Sequence, residues 1–183
     1  NNKPTASPIS RTVHWSTQTL GTTISILSVG QTDADGDALT ISGVSTPSHG
    51  TATFTNTSVT YKQNAQYTGT DEFTYTITDG LDTATATITF NIYNTAPVAI
   101  DQVYSVFWGT HTIGTTFSVL ANSSDADVQD TVSLKSVGAS TPHGTATKSG
   151  NQVLFKPTKG NLNTVTFTYT VTDGLADTTK QVT

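Results

Sequence analysis

Phe73-Thr74-Tyr75-Thr76-Ile77-Thr78-Asp79-Gly80-Leu81 places a large apolar side chain at every second position and then stops on Asp-Gly. Alternation with period two belongs to a strand that buries one face. Asp-Gly supplies the positive φ angles of a tight hairpin. The same nine positions return as Phe167-Thr168-Tyr169-Thr170-Val171-Thr172-Asp173-Gly174-Leu175. Outward from this pair, His49-Gly50-Thr51-Ala52-Thr53 matches His143-Gly144-Thr145-Ala146-Thr147, and Pro4, Trp15, Gly21 and Leu27 match Pro97, Trp108, Gly114 and Leu120. Self-similarity over most of the chain predicts two copies of one module, residues 1–94 and 95–183. Between them runs Asn94-Thr95-Ala96-Pro97-Val98-Ala99-Ile100-Asp101. Proline fixes its own φ and drives the preceding residue toward extended backbone, so Ala96-Pro97 is a stiff connector.

The rest of repeat one reads as further short strands. Pro4 to Trp15 is an edge-type strand interrupted by Pro8, which donates no ladder bond. Thr22 to Leu27 and Leu39 to Val44 alternate as core strands. Thr51 to Phe54 and Val59 to Tyr61 form a hairpin around Asn56, Asn64 to Asp71 is a loop, and Thr83 to Tyr93 closes the unit. About seven short strands per repeat predict an all-β chain of two tandem Greek-key sandwiches.

Composition agrees. Hydrophobic residues are 34% of the 183, which suits sheets with one wet face better than a helical core. With no cysteine, no disulfide staples the modules. That leaves a reducing compartment or an extracellular protein stabilised by other means. The net charge of −5 argues against nucleic acid or an anionic membrane surface as partner. No apolar run reaches the roughly 20 residues of a membrane span. The chain starts within linker-like sequence and stops before repeat one's last strand has its full counterpart, so it is expected to be a piece of a longer protein.

The chemistry lies in the acids. Asp33, Asp35 and Asp37 stand at alternate positions around Gly36, and repeat two has Asp125, Asp127 and Asp130 with one residue inserted. Carboxylates about 4 Å apart repel by about 4 kcal/mol at an effective dielectric of 20. A hard dication removes that penalty, and Ca²⁺ takes about six to eight oxygens from flexible loops. The sandwich topology brings Asp79 and Asp82 to the same end as the first loop. In repeat two it brings Asp173, Asp177 and Asp101 toward the second. Asp71, Glu72 and Asn94 are expected where the repeats adjoin. The competing reading is a set of solvated turns, since Asp bonds its own backbone in turns.

These residues carry a resemblance. Asn94-Thr95-Ala96-Pro97, the Asp-x-Asp loop and Thr70-Asp71-Glu72-Phe73 resemble tandem cadherin-like repeats. The run from Asp33-Ala34-Asp35-Gly36-Asp37 through Thr46-Pro47-Ser48-His49-Gly50 to Thr68-Gly69-Thr70-Asp71-Glu72 is similar to bacterial cadherin-like and immunoglobulin-like repeats. Such repeats occur in large secreted adhesins and multidomain extracellular proteins. The resemblance implies a secreted or cell-surface protein, calcium at the junction through Asp71, Glu72, Asn94, Asp125 and Asp127, and neighbouring repeats as partners. The expected role is a calcium-stiffened spacer or adhesion rod. Repeat one carries Pro8 where repeat two has Asp101.

Other chemistries have less support. A carbohydrate-binding module would use Trp15 or Trp108 as a stacking surface for a polysaccharide, although a tryptophan repeated at a strand end also covers a core rim. His49 and His143 share a turn position and read as structural. There is no nucleophile elbow, zinc-binding His pair or phosphate loop, so no catalytic residues are assigned and the chain is expected not to be an enzyme.

Overall fold

The computed structural model describes the chain except residues 140 and 162 and the side chains of residues 18 and 108. It divides into two units, Asn1–Asn94 and Thr95–Thr183. The described residues are all-β, with short 3-10 turns and no α-helix. None of their helices is long and apolar enough to cross a membrane.

The first unit holds β1 (Ile9–His14), β2 (Thr22–Ser25), β3 (Thr40–Val44), β4 (Gly50–Phe54), β5 (Ser58–Gln63), β6 (Gly69–Thr78) and β7 (Thr83–Tyr93). One sheet runs β1-β7-β6-β3 and the other β2-β5-β4. The β1–β7 pairing is parallel and the rest are antiparallel, which makes a sandwich with Greek-key connections. Alternation does what the sequence requires: Phe73, Tyr75 and Ile77 of β6 and Ile88, Phe90 and Ile92 of β7 point inward, against Ile24, Val59 and Tyr61 of the facing sheet. Two spans differ from the sequence reading. The strand from Thr22 ends at Ser25 and turns into a 3-10 segment, Ile26–Ser28, which still buries Ile26. The expected loop from Asn64 to Asp71 gives up its last residues to β6, because Gly69, Thr70 and Asp71 pair with Ile92, Asn91 and Phe90 of β7.

The second unit has β8 (Thr115–Phe117), β9 (Ser133–Val137), β10 (Gly144–Ser149), β11 (Gln152–Pro157), β12 (Phe167–Thr172) and β13 (Asp177–Val182). Its sheets run β10-β11-β8 and β13-β12-β9. The counterpart of β1 shrinks to one parallel bridge, Gln102 with Val182. Leu134, Val153, Phe155, Phe167, Tyr169 and Val171 form its core. In both units a buried tyrosine ties the lead-in segment to the core: Tyr75 donates to the Ser7 carbonyl at 2.6 Å, and Tyr169 to the Ile100 carbonyl at 2.5 Å.

Candidate metal centres in the acidic loops

In the first unit the loop between β2 and β3 brings carboxylate oxygens of Asp33, Asp35 and Asp37 within 4.8 Å of one another. The backbone shapes it: the Asp35 amide donates to Asp33 Oδ1 at 2.8 Å, and Gly36 sits at φ +81°, a region that costs glycine nothing. Asp33 Oδ2, by contrast, is buried and accepts no hydrogen bond. Asn2 donates to Asp35 through its backbone amide (2.5 Å) and its side-chain amide (2.8 Å). The loop thereby holds the lead-in of its own unit.

The second unit repeats this arrangement at matched positions. The Asp127 amide donates to Asp125 Oδ1 at 2.8 Å, and Asp125 Oδ2 is buried with no hydrogen-bond partner. The Thr95 amide donates to Asp127 Oδ2 at 2.6 Å, in the place that Asn2 takes on Asp35. The inserted residue changes the ligand set. Here the carboxylates within 4.8 Å of one another are those of Asp125, Asp130 and Asp173. Asp173 therefore joins the second loop, whereas its counterpart Asp79 does not join the first.

Both turn aspartates cap their hairpins. Asp79 Oδ1 accepts from the Leu81 and Asp82 amides, both at 2.7 Å. Asp173 Oδ1 accepts from Leu175 at 2.7 Å and Ala176 at 2.6 Å. The amides of Asp82 and Leu81, with the Asn1 side-chain amide, hold the Asp79 carboxyl below the usual carboxylate range. Asn1 also bridges to Asp82 at 3.0 Å.

The remaining predicted residues have other local tasks. Asp71 is 2% exposed and accepts from the Ser48 amide (3.1 Å), the His49 amide (2.9 Å) and the Tyr61 hydroxyl (2.7 Å). Burial and this bond together push the Tyr61 phenol far above its ordinary value. Glu72 lies on the open face of the sheet and accepts from Thr89 at 3.0 Å. Asn94 is half-buried just after β7. Asp101 accepts from the Gln181 amide at 2.9 Å and so pins the lead-in of the second unit to β13. Asp177 pairs with Lys135 across the sheet at 2.5 Å, and that ammonium holds its carboxyl low. Trp15 is half-buried and packs on the first core, as a rim residue does; the side chain of Trp108 lies outside the described residues. His49 stacks on Tyr67, with ring centroids 4.2 Å apart. Sequence reasoning missed the donors from Asn2 and Thr95. The signal was there, in the matched openings Asn1-Asn2 and Asn94-Thr95.

Comparison with known proteins gives three results. A family described as "Bacterial Ig domain" matches residues 1–91 and again residues 94–183. A search of curated protein sequences returned no match. Among solved structures, human protocadherin-24 EC1-2 is 17% identical over 100% of this chain and 97% of its own, with a TM-score of 0.41. Drosophila N-cadherin EC1-4 is 14% identical over 100% and 49%, at 0.44. An endo-fucoidan hydrolase of glycoside hydrolase family 107 is 19% identical over 100% of this chain, which spans 28% of that one, at 0.37.

Proposed function

The chain belongs to the bacterial Ig domain family as two tandem copies, and from that premise we propose that it is a non-catalytic extracellular spacer whose acidic loops bind calcium. The observation that carries the calcium reading is the matched pair of carboxylate oxygens, Asp33 Oδ2 and Asp125 Oδ2. An ionised oxygen buried without a partner costs free energy, and the same cost in both copies is relieved by a cation in each loop. Asp33, Asp35 and Asp37 would hold it in the first repeat, and Asp125, Asp130 and Asp173 in the second. Carboxylate-only donors suit a hard ion such as Ca²⁺ rather than zinc.

Calcium supplies charge neutralisation and loop order. The chain's own residues convert that order into stiffness. Asp35 grips Asn2 and Asp127 grips Thr95, so an ordered loop fixes the lead-in strand of its repeat. With Pro97 already stiff, little of the connector is left to swing. A spacer that holds a functional domain away from a surface, or an adhesive rod, needs that property.

Calorimetric titration of calcium tests the proposal. We expect two sites of about 10⁻⁴–10⁻³ M, the range of extracellular modules. Asp33→Asn should remove one and Asp125→Asn the other. Heat no larger than that of magnesium, or titrations unchanged in both variants, would refute the assignment. A scattering profile that chelator leaves untouched would refute the stiffening while sparing the sites.

A further inference from the structure

The second repeat contains a cavity of about 460 Å³ that no acidic residue reaches. Two unpaired backbone edges flank it, residues 103–107 on one side and 163–165 on the other. Its floor is Phe155 and Phe167, stacked with ring centroids 5.7 Å apart. Val103 and Phe107, which also line it, are 80% and 71% exposed.

The first repeat shows what such a place takes. The residues matching Phe155 and Phe167 are Tyr61 and Phe73, and Phe90 of β7 stacks on them at 4.4 and 6.2 Å. There β7 lies between β1 and β6. Phe90 pairs with Arg11 on one side and Asp71 on the other, and Ile92 with Val13 and Gly69. In the second repeat the same ladder starts, since the Tyr104 amide donates to the Thr183 carbonyl and the Thr183 amide to Gln102, both at 2.9 Å. Thr183 stands where Thr89 does, and the positions of Phe90 to Tyr93 correspond to the cavity.

We propose that this slot is a strand-acceptor site for an extended peptide of another chain. Its ligand is an uncharged segment with an aromatic residue followed two positions later by a β-branched aliphatic one, the pattern of Phe90-Asn91-Ile92. Main-chain bonds to two edges supply affinity, and alternate side chains entering an apolar floor supply specificity. The lining has no Asp, Glu, Lys, Arg or His, so a charged residue at an inward position is excluded by desolvation.

The test titrates the 183-residue chain with the capped peptide of residues 89–93, Thr-Phe-Asn-Ile-Tyr. Amide NMR and hydrogen exchange follow each repeat separately. We expect saturable one-to-one uptake, new protection at residues 103–107 and 163–167, and a silent first repeat. Phe90→Ala in the peptide should weaken uptake at least about tenfold, the loss of one buried aromatic side chain. A chain lengthened after Thr183 by Phe-Asn-Ile-Tyr should take up the peptide at least tenfold less well, because its own residues fill the slot. No uptake overturns the proposal. So does equal uptake of a scrambled peptide, which would mark a merely sticky surface, or undiminished uptake by the lengthened chain.

Discussion

The two repeats solve one buried position in opposite ways. In the first, Asp71 is held by the Ser48 and His49 amides and the Tyr61 hydroxyl. In the second, the matching residues are Val165, Pro142, His143 and Phe155. The carboxylate, the hydroxyl and one of the two amide donors disappear together, proline having no N–H to offer. The His143 amide turns instead to the Thr141 hydroxyl at 3.3 Å. A buried charge is tolerated only when fully paired, so the network is kept whole or replaced whole. This bears on Asp71 as a candidate ligand: its carboxylate already has three donors from two other segments of its repeat, and the second repeat keeps its fold with valine there.

Breaking that network should give the largest effect. Asp71→Val alone strands the Tyr61 hydroxyl and two amides, and we expect the first repeat to lose about 3 kcal/mol in denaturant unfolding. Adding Tyr61→Phe and Ser48→Pro imports the second repeat's solution and should recover at least half of the loss. A triple variant no better than the single would mean that the two cores are not exchangeable at this point.

Calcium comes next. At about 100 times Kd it should add about 2.7 kcal/mol to a repeat that binds one ion, read as the rise in melting temperature over chelator. Here too the repeats should differ. Asp173→Asn should weaken the second site, and Asp79→Asn should leave the first unchanged, because only Asp173 joins its acidic group.

Glycine tests what the repeats share. A Cβ on Gly50 would stand 2.5 Å from the Tyr61 ring and 2.6 Å from the Lys62 carbonyl, and one on Gly144 2.3 Å from the Phe155 ring. Alanine at either should cost about 1–3 kcal/mol by overpacking, and more at Gly50, where a backbone atom is in the way.

The smallest effect is in pH. The Asp79 and Asp177 carboxyls titrate below their unfolded values. Their contribution is thus complete above the ordinary carboxylate range and disappears as pH falls through the folded values. Melting temperature should drop on acidification below about pH 4. Asp177→Asn should flatten that drop in the second repeat only. Both groups are exposed, so salt should shrink the difference further.

Much of this molecule was legible in order along the chain. Phe73 to Ile77 alternates because a strand's side chains do, and Asp79-Gly80 closes its hairpin because only certain residues adopt the required φ. These are local rules, and they carried the strands, the turns, the repeat and the acidic loops. Where two segments distant in sequence met, local rules were silent. Asp71 looked like an exposed acid at a strand start, and only pairing with β7 and the approach of the His49 turn buried it. Asp101 and Asp177 carry charge in the right neighbourhood, yet Gln181 and Lys135 reach them first.

The sequence alone determined that this is a twofold-repeated all-β chain with carboxylates gathered in matching loops, since periodicity and turn chemistry act within a few residues. Tertiary structure decided which carboxylates group together, which are spent on amides or lysine, and that the second sandwich holds an open slot where the first holds Phe90. Those outcomes depend on which partner arrives across the fold, and an unpaired charge or an unfilled gap exists only once every neighbour is in place.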